Sequence, residues 1–454
     1  MSTREERFLD AHAERAERTT AINPEEYRKY NCKRGLRNED GTGVLVGLTK
    51  VGEVHGYILV EGERTPVPGR LSYRGYDLVD LTRGFQSEGR FGFEETVYLL
   101  LFGTLPTSAD LEDFRGLLAD RRALPAGFTE DMILRAPSSD VMNKLARSVL
   151  VCYSYDDHAE EQTARNVVRQ TMDLIARFPS IIAYAYQAKR HYYDRESLYI
   201  HAPARELSIA EDFLHMIRHD QAYTRLEAET LDLALVLHAE HGGGNNSAFT
   251  LHVVSSAATD TYSAVAAAVG SLKGTKHGGA NNRVMSMMDD IKANVGDWAD
   301  VDEVRSYLER IIRKEAHDGS GLIYGMGHAV YTLSDPRAVL LKEKARDLAA
   351  EKHRSDEFAL YEAVEAATPA AFQAQKGYDR PIAPNVDFFS GFVYSMLDIP
   401  RELYTPIFAM SRIAGWSAHL LEELISGGRI IRPAYKCVMP HRRYVEIADR
   451  PANA

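Results

Sequence analysis

A mainly α-helical fold with a small β element near the N-terminus is predicted by three features of this 454-residue chain. Apolar residues recur at helical spacing through most of the sequence after Asp77. Alternating apolar and polar residues, the pattern of half-buried strands, do not recur beyond about residue 80. Closely spaced glycines, prolines and β-branched residues are concentrated in residues 41–75, where they predict short strands and turns.

The composition is that of a globular protein and argues against several classes of function. Apolar residues make up 45% and charged residues 26% of the chain, and the length favours two or three domains. A net charge of −11 argues against a general surface for nucleic acids or anionic membranes. Three widely spaced cysteines without a CxxC pair favour the reducing cytoplasm and indicate no zinc or disulfide framework. With neither a secretory signal nor a run of about 18 apolar residues, no membrane span is expected.

The helical segments can be placed in order from their apolar spacing and their end signals. The charged residues 3–30 predict a polar helix or arm. Further helices are predicted at 93–106, 108–124, 138–155, 164–191, 208–220, 226–241, 261–274, 282–295, 301–319, 337–353 and 405–428. Ser108 is the expected cap of the helix that it begins, and Thr405 that of the last helix, with Pro406 at its first helical position.

Polar, flexible sequence is concentrated in three segments between residues 238 and 338. These are HAEHGGGNNS (238–247), KHGGANN (276–282) and GMGHAVYTLSDPRA (325–338). A hydrophobic core does not need this density of histidine and glycine, so the segments predict a functional site. His277 is expected in a loop whose following glycines begin a helix, where free N–H groups favour an anion or a developing negative charge.

The spacing within these segments weakens some interpretations and leaves others open. His238 and His241 lie three residues apart at a helix end, whereas zinc proteases use HExxH or HxxEH. HGGG resembles the oxyanion segment of lipases, yet the sequence has no GxSxG motif. GMGHAV is not a dinucleotide fingerprint, because Val330 stands where the third glycine should be. His238 also fits a buried structural histidine, and a metal-dependent hydrolase and a non-catalytic scaffold stay as alternatives.

Charged residues outside these segments complete the predicted site. Asp387 is followed at once by two phenylalanines, and an apolar setting disfavours its charged form, which suits a general base. Arg412 lies in the middle of an apolar helix, where a buried cation needs an anionic partner. Arg337 presents a planar fork of donors that suits a carboxylate. Arg432, in IIRPAY, could equally be a surface residue.

In combination, these segments resemble citrate synthases of the common si-type family, which includes the 2-methylcitrate synthases. The resemblance extends from YRGYDLVDL (73–81) to IIRPAY (430–435). Its motifs follow the order of the family: HAEHGGGN, KHGGAN, GMGHAVYTLSDPRA, PNVDFFSG, SRIAGWSAH and IRP.

By this resemblance, Asp387 removes a proton from the methyl group of acetyl-CoA, and His277 stabilises the enolate by donating to the thioester oxygen. His328 polarises the ketone of oxaloacetate and protonates its oxygen. The side chains implied to bind or support the two carboxylates are His241, Asn245, Arg337, Arg412 and Arg432. The residues implied to approach coenzyme A are Gly325, Met326, Gly327 and Ala329. Hydrolysis of citryl-CoA then releases citrate and CoA, with no metal and no permanently bound cofactor.

The resemblance also implies an architecture and partners. A large helical domain of residues 1–280 and 395–454, divergent over 1–70, is expected, with a small helical domain of 281–394 closing over the site when oxaloacetate binds. The protein is expected to be a cytoplasmic homodimer, with Arg432 reaching the neighbouring site, in the entry step of the tricarboxylic acid cycle. Propionyl-CoA is the alternative thioester, since the choice depends on about one methyl group, or ~1–3 kcal/mol.

Overall fold

The chain forms two compact units, residues 1–48 and 49–454. The computed structural model describes residues 3–38, 41–60, 63–377 and 381–450. The first unit contains helices α1 (Thr3–Thr20) and α2 (Pro24–Lys29) and a short 3-10 turn. Asn23 caps α2 by accepting the backbone N–H of Glu25. The polar helix predicted for residues 3–30 is therefore two helices with a break at the cap.

The second unit begins with a three-stranded antiparallel sheet in the order β1 (Gly52–Val60), β2 (Glu63–Tyr73) and β3 (Tyr76–Asp77). Its register pairs the first residue of β1 with the last residue of β2. The register shifts between His55 and Tyr57, as at a β-bulge. The strands predicted within residues 41–75 are confirmed, and the described part of the chain has none beyond Asp77.

Two glycines let this hairpin lie against the segment that follows His328. A Cβ atom on Gly56 would lie 2.5 Å from the carbonyl oxygen of Val330, and one on Gly69 would collide with the carbonyl oxygen of Ser334. The Gly69 N–H also donates to the Ser334 hydroxyl at 3.1 Å. The small sheet thus forms one wall beside the predicted site.

Helices make up most of the second unit after the sheet. The first nine are α3 (Leu78–Ser87), α4 (Phe93–Phe102), α5 (Ser108–Ala119), α6 (Val141–Cys152), α7 (Ala164–Tyr193), α8 (Ile209–Ile217), α9 (Arg225–His238), α10 (Asn246–Ser255) and α11 (Thr261–Leu272). They are followed by α12 (Ala280–Asn294), α13 (Val301–Ile312), α14 (Pro336–Glu351), α15 (Ser355–Lys376), α16 (Val386–Met396) and α17 (Tyr404–Ser426). Within the described ranges, none of these helices combines the length and apolarity needed to cross a membrane. The mainly α-helical fold is confirmed.

Helix α17 lies at the centre of the core. It packs against α4, α7, α9, α10 and α11, and most of its residues up to Leu421 are buried. Arg412, Trp416 and His419 are spaced by three or four positions, which places them on one side of the helix. A single helix therefore presents three polar side chains to the segments that carry the predicted histidines.

The structure corrects several details of the helix predictions. Thr107, not Ser108, caps α5, in a capping box with Asp110. Helix α17 begins at Tyr404 without a side-chain cap, and the Thr405 hydroxyl instead donates to the carbonyl of Gly278 at 3.0 Å. The predicted ranges omit α3, α10, α15 and α16. Three of these helices, α3, α10 and α16, are short and lie beside or contain Gly, Asn or Pro, and the longer α15 has Pro369 in its interior.

The predicted division into a large domain of residues 1–280 and 395–454 and a small domain of 281–394 stays a prediction. Helices α12 to α16 lie almost entirely within the range of the proposed small domain.

Candidate active site

The predicted histidines His241 and His328 lie side by side. Helix α9 ends at His238, and Gly242, with φ of 81°, turns the chain immediately after His241. The ring centroids of His241 and His328 are 5.3 Å apart, and Tyr331 stacks on His328 at 4.8 Å. Burial, with the nearby Arg337, lowers the pKa of His241 well below its usual range, so this ring is neutral and can donate one hydrogen bond.

The hydrogen bonds of His328 fix where its proton lies. Its Nδ1 atom accepts the backbone N–H groups of Val330 at 3.0 Å and Tyr331 at 3.2 Å. A backbone N–H can only donate, so Nδ1 carries no hydrogen and the proton of the neutral ring must lie on Nε2. His328 is therefore set up to donate through Nε2.

His277 lies in the loop between α11 and α12, as predicted, and α12 begins just after Gly279, without a side-chain cap. Its Nε2 atom is 3.0 Å from the hydroxyl oxygen of Ser247, which also accepts the indole N–H of Trp416 at 3.1 Å. Burial, with a contribution from Arg412, lowers the pKa of His277 to about 4. The ring is therefore neutral at physiological pH.

Asn245 supports this group through Ser247. It caps α10, and its Oδ1 atom accepts the backbone N–H of Ser247 at 3.2 Å and lies 2.8 Å from the Ser247 hydroxyl. The Ser247 hydroxyl donates to Asn245 in this structure, and rotation of its O–H bond would let it donate to Nε2 of His277 instead. Donation to His277 leaves the proton of that ring on Nδ1, where it can donate to a ligand.

Arg412 is an unpaired cation in the interior. Its side chain is 1% exposed, and its Nε donates to the carbonyl oxygen of His238 at 2.6 Å. Among the described residues, neither terminal nitrogen of its guanidinium has a hydrogen-bond partner. Burial lowers the pKa of Arg412 to about 10, so the group stays charged at neutral pH. A buried, charged fork with free donors is a binding site for an anion such as a carboxylate.

Arg337, which the sequence also predicts as a carboxylate ligand, is already paired within the chain. In the first turn of α14, its Nε and Nη2 atoms donate to both oxygens of Asp335, at 3.0 and 2.7 Å. The guanidinium also lies 5.7 Å from the centre of the Tyr331 ring. Asp335 therefore sets the orientation of Arg337 beside Tyr331, the ring that stacks on His328, a role that the sequence prediction did not identify.

Asp387 lies in the first turn of α16, where its backbone N–H donates to the Asn385 side chain at 3.0 Å. Burial raises the pKa of Asp387 to about 6, although Arg337 and Arg412 act in the opposite direction. The two following phenylalanines pack on the ring of Tyr361. The raised pKa agrees with the prediction of a base in an apolar setting.

The glycine segment next to His328 is tied to the start of α16. Gly327 donates its N–H to the carbonyl of Ala383, and Asn385 donates its N–H to the carbonyl of Gly325, both at 2.8 Å. Gly325 has a φ of 79°, and a Cβ atom on it would lie 2.9 Å from Phe388. These contacts couple the backbone around Met326 to the helix that carries Asp387.

The structure does not bring Arg432 to the other predicted residues. It is exposed in the segment after α17, and no described contact joins its side chain to them. His238 is buried, with its ring 4.5 Å from that of Phe408. Among the described residues, no group of three or more His, Cys, Asp or Glu side chains could hold a metal ion. Ser247, Trp416 and Asp335 were missed, although Trp416 stands one helical turn after Arg412.

Comparisons with known proteins agree on one family. The family described as citrate synthase, C-terminal domain, matches residues 40–434. The chain is 37% identical to a citrate synthase of Haloferax volcanii, over 88% of this chain and 94% of that one. It is equally 37% identical to a 2-methylcitrate synthase of Shewanella oneidensis, over 84% and 92% of the two chains.

The solved structures that it resembles are also citrate synthases. The fold matches that of citrate synthase from Thermoplasma acidophilum in a ternary complex with carboxymethyl coenzyme A and oxaloacetate, with a TM-score of 0.74 and 28% identity, over 92% of this chain and 99% of that one. A citrate synthase from Pyrobaculum aerophilum matches with a TM-score of 0.72 and 32% identity, over 90% and 94% of the two chains. The chain therefore belongs to the citrate synthase family.

Proposed function

We propose that this enzyme condenses acetyl-CoA with oxaloacetate and water to give citrate and CoA. The observation that carries the proposal is the buried guanidinium of Arg412, whose terminal nitrogens have no partner in the described chain. Oxaloacetate is a dianion, and its carboxylates would supply the missing acceptors. Arg337 and His241, which both lie beside the Tyr331 ring, would bind the second carboxylate.

In the first step, Asp387 takes a proton from the methyl group of acetyl-CoA. A carboxylate whose pKa lies near 6 is a stronger base than an ordinary aspartate and is still ionised at neutral pH. His277 donates from Nδ1 to the thioester oxygen, with Ser247 donating to Nε2, and so stabilises the enolate without needing a positive charge.

In the second step, the methylene carbon of the enolate attacks the ketone carbon of oxaloacetate. His328 donates from Nε2 to the ketone oxygen and transfers this proton as the new carbon–carbon bond forms. Water then cleaves the thioester of citryl-CoA, which releases citrate and CoA. The balance is one acetyl-CoA, one oxaloacetate and one water converted to citrate, CoA and a proton. Coenzyme A enters as part of a substrate, against the backbone of Gly325, Met326, Gly327 and Ala329.

Propionyl-CoA is the second candidate thioester, because a 2-methylcitrate synthase matches this chain as well as a citrate synthase does. The two substrates differ by one methyl group, and hydrophobic pockets separate such substrates by only ~10–200-fold. We further propose a cytoplasmic homodimer that acts in the tricarboxylic acid cycle, in which Arg432 reaches the site of the partner and the small domain closes on oxaloacetate. The exposure of Arg432 in this single chain agrees with a role in the partner.

The experiment that tests the function measures release of the CoA thiol from each thioester with and without oxaloacetate. We expect oxaloacetate-dependent release, with a higher kcat/KM for acetyl-CoA than for propionyl-CoA, and loss of release in Asp387→Ala. A higher kcat/KM for propionyl-CoA would assign the chain as a 2-methylcitrate synthase. Release that does not depend on oxaloacetate would contradict both assignments.

A further inference from the structure

A second charged pair lies behind Arg412, two turns further along α17. His419 is fully buried, and its Nε2 atom is 3.0 Å from a carboxylate oxygen of Glu240, which is also fully buried. The same oxygen accepts the backbone N–H of Gly242. Neither His419 nor Glu240 belongs to the site described above, yet Glu240 directly precedes His241.

The fold leaves room for this carboxylate by means of two glycines. A Cβ atom on Gly52 would lie 2.8 Å from Cγ of Glu240. A Cβ atom on Gly415 would lie 2.5 Å from the carbonyl of Ala239 and would collide with the second carboxylate oxygen of Glu240. That second oxygen is buried without a hydrogen-bond partner among the described residues. A buried carboxylate with one oxygen that accepts no hydrogen bond is costly to keep charged. A nearby positive charge is therefore needed to stabilise it.

The two groups hold each other in their charged forms. Burial alone would lower the pKa of His419, but Glu240, with a smaller contribution from Glu422, raises it to about 9. Burial alone would raise the pKa of Glu240, but His419 holds it below its usual value. Glu240 also acts on Arg412, because it raises the pKa of that guanidinium against the effect of burial.

The other charged or titratable groups around the pair come from three elements. Glu422 of α17 lies 3.8 Å from Nδ1 of His419, and the ring of His252 of α10 lies 5.1 Å from the His419 ring. His252 in turn contacts Glu423 at 3.1 Å. Tyr73 and Arg74, at the end of β2, also lie within electrostatic reach of Glu240. Glu240 differs from all of these groups, because it bonds both to His419 and to the backbone of Gly242 in the turn that presents His241.

We propose that Glu240 and His419 are positioning residues that prepare Arg412 for a dianion. Glu240 anchors the turn that carries His241, and protonated His419 cancels its negative charge so that the pocket keeps its attraction for oxaloacetate. This proposal rests on the proposed function, because the dianion that Arg412 binds is taken to be oxaloacetate. Loss of the proton from His419 would leave Glu240 uncompensated beside Arg412 and weaken oxaloacetate binding.

The test compares KM for oxaloacetate and kcat in the wild-type enzyme, His419→Gln, Glu240→Gln/His419→Gln and the control His252→Gln. Glutamine at 419 keeps a donor and removes the charge. We expect KM to rise about tenfold in His419→Gln, since one uncompensated charge nearby acts through an effective dielectric constant of about 20. We expect kcat to change by less than about threefold, since the reacting groups are untouched. The double variant should have a KM near the wild-type value. The control variant His252→Gln should also keep the wild-type KM.

The pH dependence gives a second readout. In the wild-type enzyme, KM for oxaloacetate should rise as the pH increases through about 9, where His419 loses its proton. The double variant should show no rise near pH 9 and only a later one, as the pH approaches about 10, where Arg412 loses its own charge. Spectra of the wild-type enzyme labelled with ¹⁵N-histidine should contain one imidazolium that persists to about pH 9 and is absent from Glu240→Gln. This measurement does not require the His419 variants to fold.

The outcomes separate this inference from the proposed function. A wild-type enzyme without condensing activity would overturn both. An active enzyme whose KM is unchanged in His419→Gln would overturn the inference alone. So would a double variant more impaired than His419→Gln, which would show a purely structural role, or the absence of any imidazolium with a raised pKa.

Discussion

Asp387 is the base of the proposed mechanism, and its burial has a cost to stability. Its carboxylate is ionised at neutral pH although burial raises its pKa to about 6. A folded-state pKa above the ordinary value of an aspartate means that the folded protein binds the proton more tightly than the unfolded chain does. Stability therefore falls as the pH rises from about 4 to about 6, and the penalty is complete above that range.

Replacing Asp387 with asparagine should make the protein more stable and much less active. At pH 7.5 the free energy of unfolding should rise by on the order of 2 kcal/mol, because the buried charge is removed. Turnover should fall at least ~100-fold, because the base is lost. Thermal unfolding and thiol release measure the two effects. The matched control is Asp302→Asn, whose carboxylate has a side-chain exposure of 79% and should affect neither; an Asp387→Asn protein that is less stable would contradict this account.

The histidines need no charge for their proposed roles, because their partners select the protonated nitrogen. Two backbone N–H groups direct the proton of His328 to Nε2, and Ser247 can direct that of His277 to Nδ1. Neutral imidazoles also avoid repulsion by Arg412 and Arg337. In this site, hydrogen bonds that orient two neutral rings replace the positive charge that histidines with a raised pKa would supply.

Helix α17 places Arg412, Trp416 and His419 against the chain segments that follow α9. This close approach depends on Gly415, whose backbone N–H donates to the carbonyl of Ala239 at 3.2 Å. A side chain at this position would separate the two elements.

Gly415→Ala should therefore destabilise the protein by about 2 kcal/mol or more, since the new Cβ atom would meet the carbonyl of Ala239, which is backbone and cannot move alone. The control is Gly270→Ala in α11, an exposed position where a Cβ atom meets nothing within 4 Å. That change should stabilise the protein by about 0.5–1 kcal/mol, because alanine favours the helix. Thermal unfolding of both variants checks the pair, and equal stabilities would show that Gly415 is not a close-contact site.

At the level of the whole molecule, the proposed dimer can be tested by mixing two inactive variants. Arg412→Ala and Arg432→Ala should each lose activity. If Arg432 serves the partner, a mixed dimer has one intact site and one site with both defects. Refolding equal amounts of the two variants together should therefore restore about a quarter of the wild-type activity, by random pairing. No recovery from a mixture that does form dimers would show that Arg432 acts in its own subunit.

The sequence predicts much of the fold because end signals and apolar spacing are local. The last helix, predicted to end at residue 428, ends at Ser426, and the helix expected at the glycines of KHGGANN is also found. The family motifs identify the histidines, arginines and aspartate, and the structure brings most of them together. The pairing of Glu240 with His419 could not be predicted, because these residues lie 179 positions apart and meet only through the packing of α9 against α17.

The most direct test follows the carbon–carbon bond itself. Acetyl-CoA labelled with ¹³C at the methyl carbon is incubated with oxaloacetate and the enzyme, and the products are observed by NMR. We expect the label to appear in a methylene carbon of citrate, in an amount equal to the CoA released, and we expect Asp387→Asn to form none. Release of CoA with the label recovered in acetate would show hydrolysis without condensation and would contradict the account.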